Sequence, residues 1–246
     1  MDLELKNKKA LVFGSSTGIG LAVAKSLIAE GVQVTICSRN SDRLQKVAHE
    51  IGASHSVAAD LSKPGEAARV VKEVIKKFNG IDILVTNTGG PNKGHFSEIS
   101  ETQWQTDFQS LWMSVVESLQ TALPEMKKNN YGRVLMVTSI AGKEPIAGLT
   151  TSNGLRAGLE GLCKSVSTEM APFGITLNVL RPGYTNTDRL KELKLTEERV
   201  KQMVPAGRLG DPKEFADFAT FLASPKAGYI TGQCVSIDGG AQKSHS

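Results

Sequence analysis

An apolar run at residues 10–13 breaks into Gly14-Ser15-Ser16-Thr17-Gly18-Ile19-Gly20, and residues 18–30 then carry apolar side chains at helical spacing. Few folds begin this way. A strand that passes into a helix through glycines makes a tight turn, lets another group approach the backbone and leaves the first helical N–H groups without intrahelical partners. The alternation continues along the chain. Short apolar runs at 10–13, 32–37, 56–58, 81–86, 133–138, 176–180 and 234–237 predict strands, and helical spacing at 18–30, 41–50, 64–78, 101–128, 152–170 and 212–223 predicts the helices between them. Near-continuous apolar strands, each followed by a helix, belong in a parallel sheet covered on both faces. The expected fold is therefore α/β: one Rossmann-type doubly wound parallel sheet of about seven strands, with its ligand site at the carboxyl ends of the strands. No repeat, linker or low-complexity tract interrupts the pattern, so residues 1–246 are expected to form a single domain.

Local chemistry marks several boundaries. Ser100 with Gln103 predicts a capping box, and Asp211-Pro212 with Glu214 supplies an N-cap, a first-turn proline and an acid near the positive end of the helix dipole. Gly31 is placed to end the first helix in a left-handed conformation.

Composition removes several alternatives. Hydrophobic residues at 40% and charged residues at 22% suit a globular core. No apolar run approaches the roughly 18 residues of a membrane span, and residues 1–9 alternate acids and bases unlike a signal peptide, so the cytoplasm is the expected location. Cys37, Cys163 and Cys234 lie far apart without metal-ligand spacing and read as small hydrophobes rather than a disulfide framework or a metal site. The net charge of +4 comes from dispersed clusters at 6–9, 76–77 and 127–128, which describe a solvated surface and not a nucleic-acid footprint.

Glycines between a first strand and a first helix suit a dinucleotide, whose pyrophosphate would lie on amides from Gly14, Ser16, Thr17, Gly18, Ile19 and Gly20. A merely flexible strand-to-helix turn would carry the same glycines. The end of the second strand adds a further signal. NAD sites place an acid there for the ribose hydroxyls, whereas this chain has Ser38 and Arg39 and no acid. A guanidinium fork matches a 2′-phosphate, so NADP is expected over NAD, with a solvated arginine as the plain alternative.

With these residues in place, the chain resembles the short-chain dehydrogenase/reductase family over essentially its whole length. Further matches are Asp60-Leu61, Asn87-Thr88-Gly89-Gly90, Pro182-Gly183-Tyr184-Thr185-Asn186-Thr187, Thr231-Gly232-Gln233 and Asp238-Gly239-Gly240. The resemblance implies that Asp60 and Leu61 meet adenine and that Asn87, Gly89, Pro182, Gly183, Thr185 and Thr187 also line the cofactor. It implies a homotetramer as well, built on the long helices around 104–126 and 152–170, with Trp112, Met113 and Val116 at suitable spacing; a monomer core would use those residues equally well.

The family's catalytic row is an Asn, a Ser, and a Tyr followed four residues later by a Lys. Ser139 matches the serine. Thirteen residues on stands Ser152 and four further Arg156, while the asparagine position, seven after Trp104, is Leu111. No other register restores the pair: Tyr131, Tyr184 and Tyr229 are followed four residues later by Leu135, Asp188 and Gln233. A tyrosine of pKa near 10 beside a cation trades protons with a carbonyl, whereas a serine donates a hydrogen bond but is a poor acid. Arginine keeps the charge that would hold the nicotinamide ribose, yet does not relay a proton near neutrality. Ser152 as a helix cap and Arg156 as a surface charge is the bland alternative. Lys143 and Glu144, in the loop after Ser139, and His95 are candidate substitute proton sources, while Tyr184 reads as packing.

Two functions follow. One is an NADP(H)-dependent oxidoreductase interconverting a carbonyl and an alcohol on a small-molecule substrate, 3-oxoacyl reductase-like, with Ser139, Ser152 and Arg156 as its altered catalytic row. The other is a catalytically degenerate NADP(H)-binding sensor or assembly protein. Residues 188–210 are expected to form a helical lid that sets specificity. Its Arg189, Lys191 and Lys194 would attract an acidic substrate, although alternating charges on a solvated helix explain them too.

Overall fold

A computed structural model describes residues 1–191 and 195–244. Its strands are β1 (Lys9–Phe13), β2 (Gln33–Ser38), β3 (His55–Ala58), β4 (Ile83–Thr86), β5 (Gly132–Val137), β6 (Ile175–Pro182) and β7 (Cys234–Ile237). All pair in parallel in the order β3-β2-β1-β4-β5-β6-β7. The helices are α1 (Gly18–Ala29), α2 (Ser41–Ile51), α3 (Glu66–Phe78), α4 (Glu101–Asp107), α5 (Ser114–Lys128), α6 (Thr150–Met170), α7 (Asp188–Lys191), α8 (Glu197–Met203) and α9 (Pro212–Leu222). The chain winds outward from β1 to β3, then crosses back to place β4 on the other side of β1. That reversal splays the connections and opens a crevice above the carboxyl ends of β1 and β4.

The period-two alternation of the strands sorts the core into two layers. Leu11 and Phe13 of β1 point into a cluster with Val70 of α3, Leu119 of α5 and Leu159 of α6. Ala10 and Val12 point the other way, among Val23 of α1, Leu44 of α2 and Phe215 of α9. Both faces of the sheet are thus dry, which is why the strands read as unbroken apolar runs.

The expected caps form. Ser100 accepts from Gln103 N, Asp211 and Glu214 complete a capping box over Pro212, and Gly31 follows α1 at φ 78°. Other boundaries move for local reasons. The third helix opens at Glu66 rather than 64, after a left-handed Gly65. The fourth strand starts at Ile83 because Asp82 turns its carboxylate onto Lys9 N, 2.8 Å away. The helix expected over 101–128 is broken by a π-helical turn, Phe108–Met113, which widens the coil and seats Leu111 fully inside. The helix expected from 152 begins at Thr150, so Ser152 lies inside its first turn and is not a cap.

Cys37 and Cys163 are buried and Cys234 half-buried, all three as free thiols. No helix among the described residues is long and apolar enough to cross a membrane.

Candidate functional site

The turn between β1 and α1 is held by contacts that tolerate only glycine. Gly14 has φ 58°, and a Cβ there would collide with the carbonyl of Asn87; one on Gly20 would collide with the carbonyl of Gly14. Asn87, just past β4, donates from Nδ2 to Gly14 O at 3.2 Å and ties the ends of β1 and β4 together. Ser15, fully buried, donates to Val12 O at 2.6 Å and accepts from Cys37 N at 2.9 Å, which fixes the turn to β2. Thr17 caps α1 in extended conformation without a side-chain hydrogen bond, so the first helical amides keep their donors.

A cavity of about 240 Å³ runs beside this helix start, lined by Gly18, Ala22, Asn186 and Thr187 among others. Thr187 closes over the glycine turn, 3.3 Å from where a Gly18 Cβ would stand. On the far side Gly89 has open space where a Cβ would point. These surfaces form a groove beside the start of α1, where unpaired helical N–H groups suit an anion.

At the end of β2, the buried hydroxyl of Ser38 has no partner among the described residues, and Arg39 is exposed. Asp60, beyond β3, accepts from Ser62 N and Oγ at 3.1 and 2.8 Å. The Ser62 hydroxyl bond holds its carboxyl below the usual range, with Arg39 adding a smaller pull in the same direction. Leu61 packs at the edge of the core beside it.

The C-terminal ends of β4 and β5 meet the first turns of α6. Ser139 stands two residues past β5 and accepts from Ala141 N at 3.1 Å. Ser152 is 5% exposed and accepts from Arg156 Nε at 3.2 Å. Arg156 is no surface charge. At 6% exposure it sends Nη1 to Val137 O (3.1 Å) and Thr138 O (2.7 Å), and Nη2 to Gly89 O at 3.5 Å. Burial pulls its pKa down from 12.5 to about 10, with the nearby charge of Arg189 as the second cause. The bland alternative for Ser152 and Arg156 therefore fails: both are buried, and they are bonded to each other.

The candidate proton sources separate. Glu144 accepts from Lys243 N and Ser244 N at 2.8 and 2.6 Å, and those amide bonds hold its carboxyl below the usual range. A carboxylate so held stays ionised near neutrality and is no acid. His95 is exposed, and its backbone N–H donates to Glu98. Lys143 is half-exposed in the loop after Ser139. Tyr184 lines a separate cavity with Val204 and Phe215, in keeping with packing. Pro182 ends β6, Gly183 donates to Ile237 O at 3.0 Å, and Thr185 pairs with Gly210. The segment 188–210 thus leaves and returns at one point, carrying α7 and α8; Lys194 lies outside the described residues.

Two devices escape a sequence reading. Glu160 on α6 takes a bidentate bond from Arg181 on β6, at 2.8 and 2.5 Å, and braces the helix that carries Ser152. Asn153 exchanges two hydrogen bonds with the backbone of Ile146 and fixes the loop after Ser139. Apolar spacing signals neither, because both are polar residues in otherwise ordinary helical positions.

Comparison with known proteins agrees with this geometry. The sequence model of a family described as enoyl-(acyl carrier protein) reductase matches residues 14–242. The chain is 34% identical to the 3-oxoacyl-(acyl-carrier-protein) reductase FabG of Vibrio cholerae serotype O1, covering 97% of this chain and 98% of that protein. It is 31% identical to the NADPH-dependent reductase BacG of Bacillus subtilis, over 98% of this chain and 100% of that one. The solved structure of L-sorbose reductase from Gluconobacter frateurii, complexed with NADPH and L-sorbose, is similar at a TM-score of 0.94 and 29% identity, over 99% of this chain and 100% of that one.

Proposed function

Since this chain belongs to the short-chain dehydrogenase/reductase family, we propose that it is an NADP(H)-dependent oxidoreductase that interconverts a carbonyl and an alcohol, as a 3-oxoacyl reductase does, using an altered catalytic row. The observation that carries this reading is the adjacency of a glycine-built diphosphate groove to a buried Ser152–Arg156 pair beside Ser139. NADP(H), when bound, supplies or accepts the hydride.

The residues of the chain do the rest. The start of α1, with Gly14, Ser16, Thr17, Gly18, Ile19 and Gly20, holds the diphosphate. Arg39 and Ser38 hold the 2′-phosphate, and the absence of an acid at that strand end removes a repulsion. Asp60 and Leu61 flank the adenine, while Asn87, Gly89, Pro182, Gly183, Thr185 and Thr187 line the remaining length.

Ser139 Oγ and Ser152 Oγ each accept one hydrogen bond and, among the described residues, donate none. Each keeps its own proton for a carbonyl oxygen, where negative charge develops during reduction. Arg156 contributes fixed positive charge to the same place. Its guanidinium stays protonated near neutrality even at about 10, so it steadies charge and relays no proton. The proton itself comes from solvent through these hydroxyls. Leu111, sealed in the core, offers no polar atom to a water path.

The same reading makes the protein a homotetramer on α6 and on α5 with the π-helical turn before it, where Trp112, Met113 and Val116 are only half-buried in a single chain; light scattering measures the mass.

The test is NADPH oxidation over a panel of 3-oxoacyl thioesters, small ketones and ketoses, repeated with Ser139→Ala. Turnover that falls about 100-fold or more in the variant supports the reading. NADPH binding without turnover on any of these classes leaves the sensor or assembly protein instead.

A further inference from the structure

Arg156 is a buried cation with no carboxylate partner among the described residues: it bonds one hydroxyl and three backbone carbonyls. A second guanidinium stands beside it. Arg189, the second residue of α7, lies directly against Gly90, so closely that a Cβ on that glycine would overlap its guanidinium. Among the described residues Arg189 makes no hydrogen bond and no ion pair, while its neighbours Asp188 and Lys191 pair with each other at 3.3 Å. The buried Arg156 thus reaches Gly89 and the exposed Arg189 lies against Gly90, in the loop just beyond β4. A buried charge such as that of Arg156 is ordinarily matched by an opposite charge, and a like charge held close, here the exposed Arg189, raises the cost of leaving it unmatched. The Nη2 group of Arg156 makes only its 3.5 Å bond to Gly89 O, and the guanidinium of Arg189 is uncommitted among the described residues.

We propose that Arg156 and Arg189 form an anion subsite over Gly89-Gly90 that takes the carboxylate of an oxo-acid substrate. Gly89 and Arg156 adjoin the nicotinamide-ribose end of the cofactor in the reading above, an end that carries no phosphate, so an anion there comes from the substrate. In the reading above, the diphosphate rests on the start of α1 and the 2′-phosphate on Arg39, at the other end of the groove. Arg156 is bonded to Ser152 and to the carbonyl of Thr138, the residue before Ser139, so an anion on it neighbours the reacting carbonyl. A planar guanidinium fork suits a carboxylate better than a neutral ester or amide. This inference rests on the reductase reading for the position of that carbonyl.

The experiment uses the full chain loaded with NADP+, which cannot reduce a ketone, so binding is read without turnover. Calorimetric titration compares 2-oxobutanoate and levulinate with their methyl esters, in the wild type and in Arg189→Gln. The expected result is at least one acid bound about tenfold more tightly than its ester, a gap of about 1.4 kcal/mol. Arg189→Gln should erase that gap while its NADP+ affinity stays within about twofold. No acid-over-ester gap in either pair, or a gap that survives in Arg189→Gln, overturns the subsite. So does a variant that loses NADP+ affinity and keeps the gap, since the cofactor's diphosphate is then the anion. If the chain binds no NADP+, the reductase reading fails separately, and the acid and ester comparison on the cofactor-free protein still decides the subsite.

Discussion

Replacing Arg156 by methionine removes a guanidinium that clasps the ends of two strands, and its cost follows from the bonds. Three of them are 3.2 Å or shorter: to Ser152 Oγ, Val137 O and Thr138 O. Hydrogen bonds from a charged donor contribute about 1.5–3 kcal/mol each, a gross of roughly 4–9 kcal/mol. Deletion also relieves the cost of keeping the cation dry. The burial that holds its pKa near 10 instead of 12.5 corresponds to about 3 kcal/mol. The net loss is then about 1–6 kcal/mol, set against the 5–15 kcal/mol typical of a domain. With a urea slope of about 2–3 kcal/mol/M, the unfolding midpoint should fall by roughly 0.3–3 M at unchanged slope. Arg156→Lys keeps a charge but not the fork, and should lie between the two. A methionine variant with the wild-type midpoint would refute the clasp.

Other consequences are as direct. Arg39→Ala should weaken NADPH binding by about 10–100-fold, the worth of a charge-assisted phosphate contact, and leave NADH nearly unchanged; fluorescence titration reads both. Glu160→Gln breaks a bidentate pair whose side chains are 11% and 10% exposed and should cost about 3 kcal/mol or more, seen as a lowered melting temperature. Burial raises the Cys37 thiol from 9.0 to about 12. Because the folded value exceeds the unfolded one, the associated stability is whole below pH 9 and drains away between about pH 9 and 12. Cys37→Ala should make that part of the stability profile shallower, leaving the share of Cys163, whose thiol burial also raises to about 12, whereas an unaltered profile would place the Cys37 thiol in contact with water.

The sheet was legible because each strand is buried on both faces and so writes an unbroken apolar run. The glycine turn was legible because Gly14 and Gly20 meet backbone directly, where any side chain collides. Arg156 was legible as a position but its inward direction was not, nor was that of Glu160, since two charges four residues apart on a helix look the same whether they face water or fold inward. Their direction depends on what stands opposite: carbonyls at the end of β5 for one, Arg181 of β6 for the other. The π turn at Phe108–Met113 escaped for a related reason, as a single widened turn barely disturbs apolar spacing. Ser15 hid in plain view among glycines, its role set by the chain returning at Cys37.

Glu144 grips the amides of Lys243 and Ser244 nearly a hundred residues away. Whatever is fused after those residues in the laboratory hangs from the loop that follows Ser139. Purification handles therefore belong at the other terminus, and a sluggish preparation carrying a C-terminal one speaks first of its engineering.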